Sequence, residues 1–275
     1  MEQFEFTQEN ILRELNLEEV KDLQLKILDR VHKWCLNNGV RYWLDCGTLL
    51  GAIRHKGYIP WDDDIDLGML RPDYDKFCAL FNKSNDRYKV ITIENYKNFY
   101  QPHAKVVDLK TFLSDGGHPL AVNIDVFVYD NAPDSDEETQ KMFKKRDLLR
   151  QMTELKISNG IGENDSFFKR IKKATVHFLL KTVTNRFLVS QMVKNCKKYS
   201  KRQTERVGNF SSFSKTVFLK DIFKDMADVE FEGATYKMPV GYDEYLKTFY
   251  GDYMVLPPVE KRVSTHTFKA YMKND

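Results

Sequence analysis

What the sequence lacks narrows it first. No apolar run approaches membrane-spanning length, and the start, MEQFEFTQEN, is acidic rather than basic-then-apolar as a secretory leader would be. The reading that follows is a cytoplasmic protein, peripheral at most to the inner face of the membrane. Glycine and proline are scarce, 13 and 8 of 275 residues, and nothing is repetitive, which excludes fibrous and low-complexity classes. The four cysteines, Cys35, Cys46, Cys78 and Cys196, have no CxxC spacing, so they read as reduced thiols rather than a zinc or redox motif. The six histidines show no metal spacing, and no nucleophile–His–Asp order is visible. A formal net charge of only +3 removes any overall pull on nucleic acid, and no nucleic-acid motif is present.

What is there is globular: 42% apolar and 30% charged residues. NLEEVKDLQLKILDRVHKWCLNNG predicts a helix capped by Asn16 with Glu19 at the capping-box position and closed by Gly39. VRYWLDCG predicts a short strand, TLLGAIRHKG a short helix opening at Thr48, DIDLGML a strand, and RPDYDKFCALFN a helix starting near Pro72. RYKVITIE, HAKVVDL and AVNIDVFVYD predict further strands, the last two antiparallel across the SDGGH turn. From Ala132 to about Arg206 the pattern is helical; short strands, the helix YDEYLKTFYG and a polar tail follow. Strands interleaved with helices give an α/β or α+β fold with a mostly helical insertion. The divisions expected are a core over 1–131, a helical basic region over 132–230, and a C-terminal segment, 231–275, packing back on the core.

Inside that core, YIPWDDDIDLG crowds four aspartates into five positions beside apolar residues. Side chains alternate along a strand, so Asp64 and Asp66 converge on one face while Ile65 and Leu67 turn to the core. Two carboxylates held together call for a counter-charge, which Mg²⁺ (or Mn²⁺) supplies through oxygen ligands. In VNIDVFV, Asp125 is the one charged residue of an apolar run and reads as the third carboxylate. The competing readings are a solvated acidic turn, a calcium loop, and a buried partner of an arginine for Asp125. The calcium loop fails because Leu67 stands where the loop requires glycine and Asp73 where it requires glutamate. Asp62 and Asp63 are assigned to the solvated reading.

Directly upstream, Gly47 and Thr48 sit at a strand-to-helix junction where free backbone N–H groups and the helix dipole favour a phosphate; the alternative is an ordinary helix cap. Arg54, His55 and Lys56 add positive charge just before the acidic strand. An anion-binding turn, basic residues and a carboxylate pair are the parts that phosphoryl transfer requires. Lys105, on a predicted strand, is either within reach of a phosphate or a surface lysine.

GTLLGAIRHKGYIPWDDDIDLGM, with IDVFVYD some 55 residues on and YGDYMVLPP near the end, resembles the LicD family of phosphocholine transferases and, more distantly, the fukutin group. The resemblance implies a nucleotidyltransferase-like core with a mixed sheet. It implies Gly47 with Thr48 at the phosphate, Asp64, Asp66 and Asp125 at Mg²⁺, and CDP-choline as donor. A sugar hydroxyl of a lipid-linked glycan, of teichoic acid or lipopolysaccharide type, would displace CMP. Aromatic faces hold a quaternary ammonium, and Trp61, beside the acidic strand, is the first candidate, with Trp43, Tyr58, Tyr100 and the tyrosines of GYDEYLKTFYGDY behind it.

Ser166 to Arg202 carries eleven Lys and Arg and no acid, so the remainder holds 32 basic against 40 acidic residues. With its bulky apolars the segment reads either as an element lying on an anionic membrane or as a core-facing helix with a basic back. Two rival functions keep different halves of the chain. Nucleotidyl or other substituted-phosphate transfer keeps the acidic site, and a membrane-surface binding module keeps 166–202.

Overall fold

The computed structural model describes residues 11–85, 87–97, 99–114, 120–158, 166, 178, 182–263 and 268–274. In chain order the elements are β1 (Ile11–Leu15), α1 (Leu17–Asn38), β2 (Trp43–Leu44), α2 (Cys46–His55), β3 (Asp66–Leu70), α3 (Arg71–Leu80), β4 (Tyr88–Ile91), β5 (Ala104–Asp108), β6 (Thr111–Ser114), β7 (Asn123–Ala132), α4 (Asp136–Ser158), α5 (Asn185–Cys196), β8 (Arg206–Gly208), β9 (Val217–Leu219), β10 (Met226–Phe231), β11 (Ala234–Pro239), α6 (Tyr242–Tyr250) and β12 (Lys269–Lys273). This is a mixed α/β fold of the nucleotidyltransferase-like kind expected from the sequence.

Local chemistry explains the first helix. The Asn16 side chain accepts from the Glu19 amide and the Glu19 carboxylate accepts from the Asn16 amide, 3.0 Å each, so two free donors are satisfied reciprocally. Gly39 ends the helix with φ 58° and donates its N–H back into the last turn. Val20, Leu23, Ile27, Val31 and Trp34 line its buried face and join Ile124, Val126 and Val128 of β7 in the main core.

The central sheet has seven strands. Five run in the order β2–β3–β7–β5–β4, and β8 pairs with β7 and then with β9. β3 and β7 are parallel, with Asp66 opposite Asp125; β5 and β7 are antiparallel as expected, with Lys105 opposite Asp125. β7 is the hub because its ten residues alternate half-buried and buried from Asn123 to Val128, offering one apolar face to α1. The turn SDGGH lies, apart from Ser114, outside the described residues.

Two features were not expected. The polar tail holds β12, which pairs antiparallel with both β1 and β6, so the two ends of the chain meet in a three-stranded sheet. Among its described residues, the region 132–230 carries α4, α5 and short helical turns at Lys197–Tyr199 and Lys220–Phe223, and it returns through β8 to the core sheet at Asp130–Ala132. The basic segment is only partly described, since 167–177 and 179–181 fall outside the described residues. In the part that is described, α5 buries Leu188, Val189 and Met192 with Ile93 and Leu149, the core-facing alternative. No helix among the described residues is long and apolar enough to cross a membrane.

Candidate functional site

The site is built around the first residue of β3. Its backbone is clamped from α2: the Asp66 N–H donates to Thr48 Oγ1 at 2.8 Å, and the Asp66 carbonyl accepts from the Asp45 N–H at 2.9 Å. Thr48 is buried, and its hydroxyl oxygen is engaged here. The α2 start is itself held from below. Asp45, fully buried, accepts from Trp43 Nε1 (3.2 Å), Tyr129 Oη (3.0 Å) and Tyr245 Oη. Burial nonetheless pushes its carboxyl up. Cys46 follows at φ 44°, a left-handed conformation a side-chain-bearing residue rarely takes, and its N–H donates to Tyr245 Oη at 3.3 Å.

The acidic loop precedes β3. Asp64 lies just before the strand, yet the alternation holds: Asp64 and Asp66 are half-buried while Ile65 and Leu67 are sealed in the core. The expectation that Asp62 and Asp63 are solvated is corrected. Asp63 is only 4% exposed and Asp62 is half-buried. Carboxylate oxygens of Asp62, Asp63 and Asp64 all lie within 4.8 Å of one another. Asp62 also leans on the α2 N-terminus: a Cβ added at Gly47 would stand 2.7 Å from its Oδ2. The bare backbone at Gly47 therefore admits an oxyanion, and in this structure Asp62 supplies it.

Distant elements brace the loop. Gln24 of α1 donates to the Asp63 carbonyl (3.0 Å) and accepts from Tyr58 Oη (3.0 Å). At the tip of the β10–β11 hairpin, Glu232 accepts from the Tyr58 N–H at 2.9 Å and donates its own N–H to the Lys56 carbonyl at 2.9 Å.

The two facing carboxylates differ sharply in charge environment. Asp66 is pushed well above the usual carboxylate range, first by burial and then by Asp64, Asp125, Asp45 and Asp62. Asp125 goes the other way. Burial opposes its ionisation, but Lys105 and His103 overcome that and hold it well below the usual range. Lys105 Nζ lies 2.7 Å from Oδ1 and 2.9 Å from Oδ2, and His103 Nε2 3.1 Å from Oδ1. Lys105 is thus an internal counter-ion, not a surface lysine.

The remaining candidates form a rim. Arg54 donates Nη1 to the Tyr253 carbonyl (2.7 Å) and Nε to His55 Nε2 (2.9 Å), tying α2 to the C-terminal segment. Trp61 stands 6.3 Å, edge-on, from His55, and the Arg262 guanidinium lies over its ring at 5.7 Å. Tyr250, 41% exposed, has its hydroxyl pushed well up by burial and then by Cys46, Asp66, Asp45 and Asp62, and its ring lies 5.8 Å from Phe249. Asp45, His103 and Tyr129 escaped the sequence reading. Asp45, beside the Gly-Thr turn, and His103, two before Lys105, were the ones within reach of it.

Comparison with known proteins places the chain in a family. Residues 39–157 match the family described as LicD/FKTN/FKRP, nucleotidyltransferase domain. The chain is 33% identical over 272 residues to the lipopolysaccharide cholinephosphotransferase LicD of Haemophilus influenzae, covering 95% of this chain and all of that protein. It is 63% identical over 35 residues to the human ribitol 5-phosphate transferase FKRP, 13% of this chain and 7% of that one. An uncharacterised protein of Rickettsia typhi is 40% identical over 63 residues, 22% of this chain and 20% of its own. Likeness along the whole chain carries the broad activity with it: the protein is a phosphotransferase enzyme. With the clamped acidic strand, the facing carboxylates and a full-length relative in agreement, the chain belongs to the LicD family.

Proposed function

We propose that the protein transfers phosphocholine from CDP-choline to a sugar hydroxyl of a cell-surface glycan precursor, releasing CMP. The observation that carries this reading is the crowding of Asp62, Asp64 and Asp125 around Asp66 at the mouth of an anion-accepting helix start. The relative from Haemophilus influenzae, named for cholinephosphate transfer to lipopolysaccharide, supplies the substituent and the kind of acceptor.

The donor set is all carboxylate oxygen with surplus negative charge, and it fits a hard divalent cation. Asp64, Asp66 and Asp125, with Asp62 beside them, would hold Mg²⁺ (or Mn²⁺), whose chemistry here is to neutralise phosphate oxygens. The chain's own residues do the rest. The amides at Gly47 and Thr48 hold a phosphate oxygen where Asp62 now leans, and Arg54 adds positive charge at the rim. Lys105 and His103 keep Asp125 ionised, which suits a ligand better than a base. Trp61 and Tyr250 offer aromatic faces to the quaternary ammonium, which cannot donate a hydrogen bond. The acceptor oxygen forms a bond to the phosphorus next to choline, the bond from that phosphorus to the bridging oxygen breaks, CMP leaves with the electron pair, and the hydroxyl proton passes to solvent. A cytoplasmic placement at the inner face of the membrane, where lipid-linked acceptors would be met, completes the proposal.

The test is to incubate the protein with CDP-choline, Mg²⁺ and a panel of amino sugars and lipid-linked glycans. CMP and a phosphocholine-bearing product are expected. Pyrophosphate from nucleoside triphosphates, with no CMP from CDP-choline, would instead mark nucleotidyl transfer.

A further inference from the structure

On the other side of His103 lies a cavity of about 330 Å³, walled by α3, the turn after β4, residues 101–103 and the end of α5. Its volume is at the small end of ligand sites. His103 belongs to both places. Its Nε2 bonds Asp125 at 3.1 Å, and the residue lines the cavity. It is 7% exposed, and its Nδ1 has no hydrogen-bond partner. Such an unmade bond is uncommon in a native fold.

The lining says what kind of ligand. Arg71 and Lys197 bring two positive charges, Asp75 and Glu94 two negative ones. Asp75 bridges both cations, at 3.2 Å from Arg71 Nη1 and 3.7 Å from Lys197 Nζ. Arg71 is further committed to Asp130 by two bonds of 2.7 Å. The charges cancel, so the cavity attracts neither an anion nor a cation. What remains is a dense set of hydrogen-bond donors and acceptors, including the Gln101 amide, against the apolar edges of Ile93, Pro102 and Val193. A neutral polyhydroxylated ring has that pattern: hydroxyls for the polar groups and C–H faces for the apolar ones.

We propose that this cavity is the acceptor subsite and holds a neutral sugar residue of the glycan, His103 standing between the sugar and the carboxylate centre. The assignment rests on the transferase reading for its role but not for its chemistry. The experiment separates the two. Ala79 is exposed on α3 and borders the cavity, so Ala79→Trp fills it from the surface with little risk to folding, which a thermal melt checks. Gln101→Ala is the milder second variant. Saturation-transfer NMR with the methyl glycosides of glucose and N-acetylglucosamine reads binding directly. Signal is expected from the wild type and is expected to be lost in Ala79→Trp and weakened in Gln101→Ala. In the transfer assay the acceptor KM rises at least about tenfold in Ala79→Trp while that for CDP-choline moves less than about twofold. Equal glycoside signals in wild type and Ala79→Trp, or none from the wild type, would overturn the proposal. Loss of glycoside signal in Ala79→Trp with CDP-choline uncleaved by either protein would uphold the cavity and remove the transferase reading.

Discussion

Asp66 and Asp130 sit on neighbouring strands of one sheet and lead opposite lives. Asp130, fully buried near the end of β7, is matched by Arg71 through two bonds of 2.7 Å. Asp108, fully buried at the end of β5, has the same arrangement with Arg87, at 2.8 and 2.6 Å. Among the described residues Asp66 has no such cation, and the charges that act on it most are four more acids. Where the sheet only has to hold together, a buried carboxylate comes with its arginine. Where the proposed function puts its chemistry, the acids crowd one another, as a site for a cation from outside would require.

The contrast breaks most decisively at Asp66. Asp66→Asn is expected to lower CMP release from CDP-choline by at least about 10³-fold, since a ligand at the reacting phosphate is lost. In metal-free buffer its melting temperature should hold or rise, because a repelling charge has gone. A loss of both would place Asp66 with the structural acids. Arg71→Met is the mirror experiment. It strands Asp130 without its partner and should cost about 3–5 kcal/mol in denaturant titration. If instead the protein keeps its stability, Asp130 is not held as the geometry indicates. Gly47→Ala sharpens the active side, because its Cβ would overlap the Asp62 carboxylate and obstruct the oxyanion place. We expect about a 10–100-fold drop in turnover with stability changed by under about 1 kcal/mol, read by paired kinetics and melts. Asn16→Ala, far from either carboxylate set, should cost about 1 kcal/mol in stability through the lost cap, and kcat should not move.

Much of the architecture was legible in the residues. The Asn16–Glu19 capping box, the close at Gly39, the short helix before the acidic run and the antiparallel β5–β7 pair are local patterns, and local patterns survive folding. The sheet formed by β1, β12 and β6 was not legible, because the pairing of the chain's two ends leaves no short-range signal. At the site, Asp64, Asp66 and Asp125 stood out as acids in apolar runs. Lys105 looked like a surface lysine because only pairing across strands brings it to Asp125. Asp62 and Asp63 looked solvated because a run of acids usually is; Gln24 and the bare Gly47 backbone are what draw them inward.

By itself the sequence determined the helices, the main strands and which acids repay attention, since capping, periodicity and isolated charge are properties of neighbours along the chain. Only the tertiary structure decided which carboxylate has its ionisation favoured and which has it opposed. That choice depends on what stands opposite across the sheet: Lys105 and His103 for Asp125, and other acids for Asp66. Electrostatic energy is set by distance and burial in space, and chain order holds neither.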